Sequence, residues 1–210
     1  MSRNSDPSST PSHRPRSHVG NIPTQNNPYA DIGVPPGLDL THPLSFVDQC
    51  VGRKYVRRMF IFDFPDTSNA AVYKAIHFIN LAITHALKNY SFLTGRLGPL
   101  VHPNKQNLVQ LRYGDDAYTK SVIPKITRWA MHEDDGDSSY EKLCTAGMPV
   151  SHWNMENFCA APKTFDLSRW PPVFTMQTNF LMSGGLVLCF AFQNSVADEQ
   201  SICWFLQRFA

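Results

Sequence analysis

One polar cluster ends a long apolar stretch: Gln193, Asn194, Ser195 and Asp198 follow Leu186-Val-Leu-Cys-Phe-Ala-Phe192. Two side-chain amides, a hydroxyl and a carboxylate this close together can hold a hydroxyl or carbonyl group in place. They supply no base suited to neutral pH, because an amide has donors and an acceptor oxygen but no usable basicity. Imidazole titrates in that range, and none stands in the cluster. Asn194 therefore has two readings. It closes off backbone groups at a strand end, or it keeps a contact with substrate.

The other candidates carry less. His77 and His85 lie eight residues apart on one expected helix, about 12 Å, too far to share a metal directly. Glu133-Asp-Asp-Gly-Asp137 gathers four carboxylates without the alternate spacing of a calcium loop, and reads as solvated. Five cysteines, at 50, 144, 159, 189 and 203, include no Cys-x-x-Cys pair, so neither a disulfide framework nor a zinc site is expected. Cys189 sits within the apolar run as a small core residue. There is no Gly-x-x-x-x-Gly-Lys loop, no dinucleotide fingerprint and no His-Glu-x-x-His. A net charge of +2 is too mild to imply nucleic acid. No apolar run reaches the ~18–20 residues of a membrane helix, and no secretory segment follows Met1. A cytoplasmic protein without bound cofactor or metal is the expectation.

The elements that must position the cluster are legible. Val173 to Met182 and Leu186 to Phe192 flank Ser183-Gly-Gly185, which predicts a hairpin. The second strand is apolar throughout, so it should be central and buried on both faces. Asp198 should cap a helix that lines up Ile202, Phe205, Leu206 and Phe209 on one face. Tyr55 to Phe64 reads as a strand with Val56, Phe60, Phe62 and Phe64 on one parity, and Arg57 and Arg58 solvated. A helix is predicted from about Asn69 to Tyr90, with Val72, Ile76, Ile79, Ile83 and Leu87 at helical spacing. Leu108–Tyr113 and Ile126–Met131 should be strands. Ser45 with Asp48, and Ser138 with Glu141, are capping-box starts. The expected fold is α/β, a mixed sheet with packed helices.

Residues 1–40 differ in kind. Seven of the 16 prolines fall there, among many serines and asparagines. Too little apolar surface is available to offset chain entropy, so a disordered tail is expected. The same prolines forbid the amphipathic helix of an organelle-targeting segment. Residues 41–210, in a chain that is 42% hydrophobic, suffice for one globular domain.

Five segments carry a resemblance. Leu44-Ser-Phe-Val-Asp-Gln49, Phe92-Leu-Thr-Gly-Arg-Leu97, Ser139 to Ser151, Phe192-Gln-Asn-Ser-Val-Ala-Asp198 and the helix through Phe205-Leu206 and Phe209-Ala210 occur in order. Together they resemble the fungal branch of the acyl-CoA-dependent BAHD-type acyltransferases, the branch of trichothecene 3-O-acetyltransferase. The resemblance implies a chloramphenicol-acetyltransferase-like N-terminal domain. It implies acyl-CoA as co-substrate and a secondary-metabolite alcohol as acceptor. The family motif is His-x-x-x-Asp. Asp198 corresponds to its structural aspartate, which in the family pairs with an arginine, and Gln193 to the residue before the histidine, a candidate substrate contact. Asn194 stands at the histidine position and Glu199 at the usual glycine. The histidine in that family is the general base, so the frame is present without its base. His152 is the nearest histidine in sequence, and nothing places it in the cluster. The family's Asp-Phe-Gly-Trp-Gly motif and most of its CoA contacts belong to a second domain that is not in this sequence. The apolar helix face still running at Ala210 reads as an interrupted chain, to be completed by that domain or by another chain. A degenerate half-domain that binds a small molecule or a partner is the alternative.

Overall fold

The computed structural model describes residues 34–42, 44–133, 139–162 and 165–210. The chain forms β1 (Leu40–His42), α1 (Phe46–Cys50), β2 (Tyr55–Asp63), α2 (Asn69–Asn89), β3 (Arg96–Pro99), β4 (Val109–Tyr113) and α3 (Asp116–Ile126). It continues with β5 (Thr127–His132), α4 (Tyr140–Thr145), α5 (Met155–Phe158), β6 (Phe174–Leu181), β7 (Gly185–Gln193) and α6 (Glu199–Phe209). A four-stranded sheet runs β2-β7-β6-β5, antiparallel except for the β5–β6 pair, and a three-stranded antiparallel sheet runs β1-β4-β3. This is the expected mixed α/β architecture, with a second sheet added.

The hairpin of β6 and β7 is the axis. Gly184 takes φ +108, the left-handed region that a side chain resists, and so closes the turn. All eight residues of β6 are buried, and eight of the nine of β7 are buried. Strand alternation divides their side chains between two unlike faces. Phe174 and Met176 of β6 and Leu188, Phe190 and Phe192 of β7 meet α2, α3 and α6 in one apolar core. Phe205 of α6 sits among Tyr90, Phe174 and Phe192, with ring centroids 5.2–5.7 Å apart. Each such aromatic pair adds ~0.5–1.5 kcal/mol beyond area burial.

The opposite face is polar. Thr175, Gln177 and Asn179 of β6 lie beside Ala191, Cys189 and Val187 of β7. The chain around α5 covers them and supplies backbone acceptors. Gln177 Nε2 donates to Asn157 O at 2.6 Å, and Asn179 Nδ2 donates to Phe158 O at 3.1 Å. Buried amides are tolerable because each finds a partner.

The small sheet is fastened to the large one by the Phe92–Leu97 segment. Arg96 Nη1 donates to Trp170 O at 2.8 Å, and the Leu97 N–H donates to Pro171 O at 3.1 Å. Gly95 is required there: a Cβ would stand 2.4 Å from Arg112 O. Gln49 side-chain atoms pair with both Val109 O and Val109 N, extending the small sheet past β1. Ser45 and Asp48 form the expected capping box.

Several expectations change. Helix α3 was not foreseen, because Pro124 lies inside it and breaks the pattern. Arg57 is half-buried beside Cys159 rather than solvated, since its strand parity points it under the covering chain. Ser139, not Ser138, caps α4 by accepting from Lys142 N–H. Ser138 and Asp134–Asp137 lie outside the described residues, as do residues 1–33 of the expected tail. Leu38 is 1% exposed, so the packed part begins before 41. Among the described residues no helix is long and apolar enough to cross a membrane.

Candidate functional site

The polar cluster forms a short turn between β7 and α6. Backbone bonds hold its shape. Gln193 O accepts from both Val196 N–H and Ala197 N–H, at 2.9 and 3.1 Å. Asn194 N–H donates to Lys54 O at 3.0 Å, and Gln193 N–H to Val173 O at 2.8 Å. Val196 packs against the cores of both sheets, so the turn sits at their junction. None of these bonds uses the Asn194 side chain, so the frame does not depend on what stands there.

Asp198 is the N-cap of α6, as its spacing predicted. Its carboxylate accepts from Ser201 N–H at 2.8 Å. Hydrogen bonds from the Ser201 side chain and backbone hold its pKa below the usual carboxylate value. The arginine that approaches this helix, Arg58, pairs with Glu199 instead. Among the described residues no arginine pairs with Asp198. Its carboxylate is turned towards the free N–H groups of the first helical turn.

Gln193 is fully buried, opposite Tyr55 on β2. Its Oε1 accepts from Ser195 N–H at 3.4 Å, and its Nε2 is without a partner among the described residues. Ser195 Oγ and Thr175 Oγ1 are likewise buried and unpartnered. Asn194 is half-buried at the rim of this group, and no hydrogen bond joins its side-chain amide to a described residue. The turn thus gathers amide and hydroxyl donors and acceptors without a proton acceptor of useful basicity.

Neighbouring titratable groups do not supply one. Tyr55 donates its hydroxyl to Pro172 O, and burial pushes its pKa up, so it stays protonated. His152 lies at the far end of the sheet, against a cavity shared with His132 and Leu181. The nine-residue strand β7 separates the two ends by about 27 Å at ~3.4 Å per residue. His77 and His85 are exposed on α2. His42, which sequence patterns did not single out, stacks on Phe92 at 4.5 Å. Phe92 packs with the same small-sheet core as Val196, and burial lowers the His42 pKa while Asp48 opposes the shift. Only strand pairing over some 70 residues brings His42 to this side (His42 opposite Leu111). Among the described residues no three metal-ligating side chains converge.

No protein-family model matches the chain, and no curated protein matches it. Solved structures do. F. graminearum TRI101 complexed with coenzyme A and T-2 mycotoxin is 15% identical, over 81% of this chain and 38% of that one, with a TM-score of 0.65. F. sporotrichioides TRI101 complexed with coenzyme A and T-2 is 16% identical, over 81% and 40%, at 0.61. Vinorine synthase is 14% identical, over 84% and 39%, at 0.51. These are trichothecene 3-O-acetyltransferases and a BAHD enzyme. The fold is therefore that of part of an acyl-CoA-dependent acyltransferase, as the resemblance implied. The chain spans about two-fifths of the length of these neighbours.

Proposed function

We propose that this chain, built on part of an acyl-CoA-dependent acyltransferase fold, is an acyltransferase-related protein that does not transfer acyl groups by itself. One observation carries the reading. The motif turn keeps its backbone frame and its capping aspartate, while Asn194 occupies the position that the resemblance gives to the base.

The reaction makes the consequence concrete. An acceptor hydroxyl oxygen attacks the thioester carbonyl, the C–S bond breaks, and the coenzyme thiol leaves. The hydroxyl proton must go to a base as the new C–O bond forms, and a positioned base contributes ~10²–10⁴ in rate. Asn194 can hold a hydroxyl by hydrogen bonding but cannot take its proton. Acyl-CoA and a secondary-metabolite alcohol remain the substrate class by resemblance. Five unpaired cysteines fit a reducing compartment, the cytoplasm.

A second reading, a non-catalytic half-domain that docks a partner, is favoured by one feature. Phe60 and Phe62 are 39% and 46% exposed. With Leu188, Phe190, Leu206 and Phe209 they line an apolar groove of about 320 Å³ beside the end of α6. A second domain or another chain is the expected cover. Micromolar sedimentation discriminates: self-association or capture of the complementary domain supports docking, and a clean monomer that ignores it removes this reading.

The catalytic reading is tested with four proteins: the chain, its Asn194→His variant, and each joined to the remaining portion of a trichothecene 3-O-acetyltransferase. Thiol release from acetyl-CoA is measured with sesquiterpenoid and phenolic alcohols. The histidine should raise transfer by ~10²–10⁴ in the joined protein only. Equal rates with asparagine and histidine there would overturn the assignment.

A further inference from the structure

A different imidazole, His132, is held in a defined protonation geometry at the Gly185 end of the sheet. Beside it, Asn179 is 0% exposed. Its Nδ2 lies 3.1 Å from Phe158 O and 3.2 Å from Val187 O, so this atom must be the NH2. Its other atom, Oδ1, accepts from Gln177 Nε2 at 2.7 Å. Reversing the amide would set oxygen against two carbonyl oxygens and nitrogen against a donor. Oδ1 also meets His132 Nε2 at 2.9 Å. An acceptor there requires the imidazole to donate, so Nε2 carries the proton. In the neutral ring Nδ1 is then the acceptor. No described residue donates to Nδ1. The ring is fixed from a second side by stacking on Phe158, at 4.3 Å and 15°.

His132 and Phe158 line a cavity of about 430 Å³, within the ~300–1,000 Å³ of small-molecule sites. Leu143, Leu181, Trp153 and Phe158 line it together with the polar Glu133, His152, Asn154 and Asn157. Trp153 stands edge-on to Phe158 at 5.2 Å. Glu133 on the rim disfavours an anion. Aromatic carbon and polar side chains thus share one lining, which suits a ring that bears a hydroxyl.

We propose that this cavity binds a neutral hydroxylated aromatic molecule, its ring against Trp153 and Phe158 and its hydroxyl donating to His132 Nδ1. The site is at the opposite end of the sheet from the motif turn, and it does not depend on any part in acyl transfer.

The test compares 2-naphthol with 2-methoxynaphthalene, which keeps the ring and loses the donor. Calorimetry on the whole chain should show the naphthol binding about tenfold tighter, the scale of one buried hydrogen bond with its partner left unsatisfied when lost. In His132→Phe the stacking survives and the acceptor does not, so the two probes should bind alike. The same question is put to the unaltered chain by ¹⁵N NMR, which covers the case of a variant that does not fold. In alkaline buffer, where the ring is neutral, the proton should stay on Nε2 and leave Nδ1 bare, and Nδ1 should shift with naphthol but not with its ether. Equal affinity of the two probes for the unaltered chain, no binding of either, or a proton on Nδ1 would each overturn the proposal.

Discussion

The two ends of the β6–β7 hairpin are complementary in what they keep. At the Gln193 end a turn held by backbone bonds presents amides and hydroxyls and carries no imidazole of its own. At the Gly185 end an imidazole is oriented by a buried amide, with no motif around it. The difference teaches how independent a frame is of the group it presents. The motif turn is set by backbone bonds to Lys54, Val173 and Gln193 and by helix packing, so its reactive position can change without disturbing it. The far end is the reverse case. His132, Asn179 and Gln177 form a chain of side-chain bonds in which each member fixes the next.

That contrast can be broken by mutation. The largest expected effect is at the motif end. Phe205→Ala removes a ring packed between Phe174, Phe192 and Tyr90, and should cost ~3–5 kcal/mol in urea unfolding. A loss below ~1 kcal/mol would mean that α6 does not fasten the turn. At the far end, Asn179→Leu keeps the volume but strands Phe158 O and the His132 donor. It should cost ~1–3 kcal/mol and free the His132 tautomer, seen by ¹⁵N NMR. An unchanged tautomer would show that the amide does not orient the ring.

Smaller effects sharpen the comparison. Asp198→Ala should cost ~1 kcal/mol, the worth of a helix N-cap. Because its carboxylate is held below the ordinary pKa, the ionised cap stabilises the chain above about pH 4. That contribution fades as pH falls through the folded value, and in Asp198→Asn this acid dependence should flatten. Midway between the ends, Cys159 meets Cys189 under the covering chain. A hydrogen bond from the Cys189 thiol, then the Ala161 backbone and Arg57, hold the Cys159 pKa down to about 6. A depressed acid adds stability above its unfolded pKa and loses it as pH falls through the folded one. The chain should therefore gain in melting temperature over Cys159→Ser between pH 6 and 8, and a constant difference would contradict the thiolate.

How far this was readable follows the range of the interactions. The hairpin, α2, the Ser45 box and the Asp198 cap are local, and their signals lie within a few residues. Burial of β7 on both faces follows from its unbroken apolar run. Helix α3 was hidden because Pro124 masks the spacing of Thr119, Val122, Ile123 and Ile126. The half-buried state of Arg57 needs the covering chain a hundred residues later. In the candidate site the turn and its lack of an imidazole were legible from Gln193 to Asp198. The burial of Gln193 and the stacking of His42 on Phe92 were not, since both depend on pairing between strands far apart in the chain. His132 and Asn179, 47 residues apart, meet only through the parallel pairing of β5 and β6.

The most direct test of the central claim is thiol release from acetyl-CoA by the unaltered chain, with saturating sesquiterpenoid or phenolic alcohol. The rate should equal that of acetyl-CoA and alcohol in buffer, because Asn194 takes no proton. Turnover well above that rate, lost in Asn194→Ala, would show that this amide carries chemistry and would contradict the account.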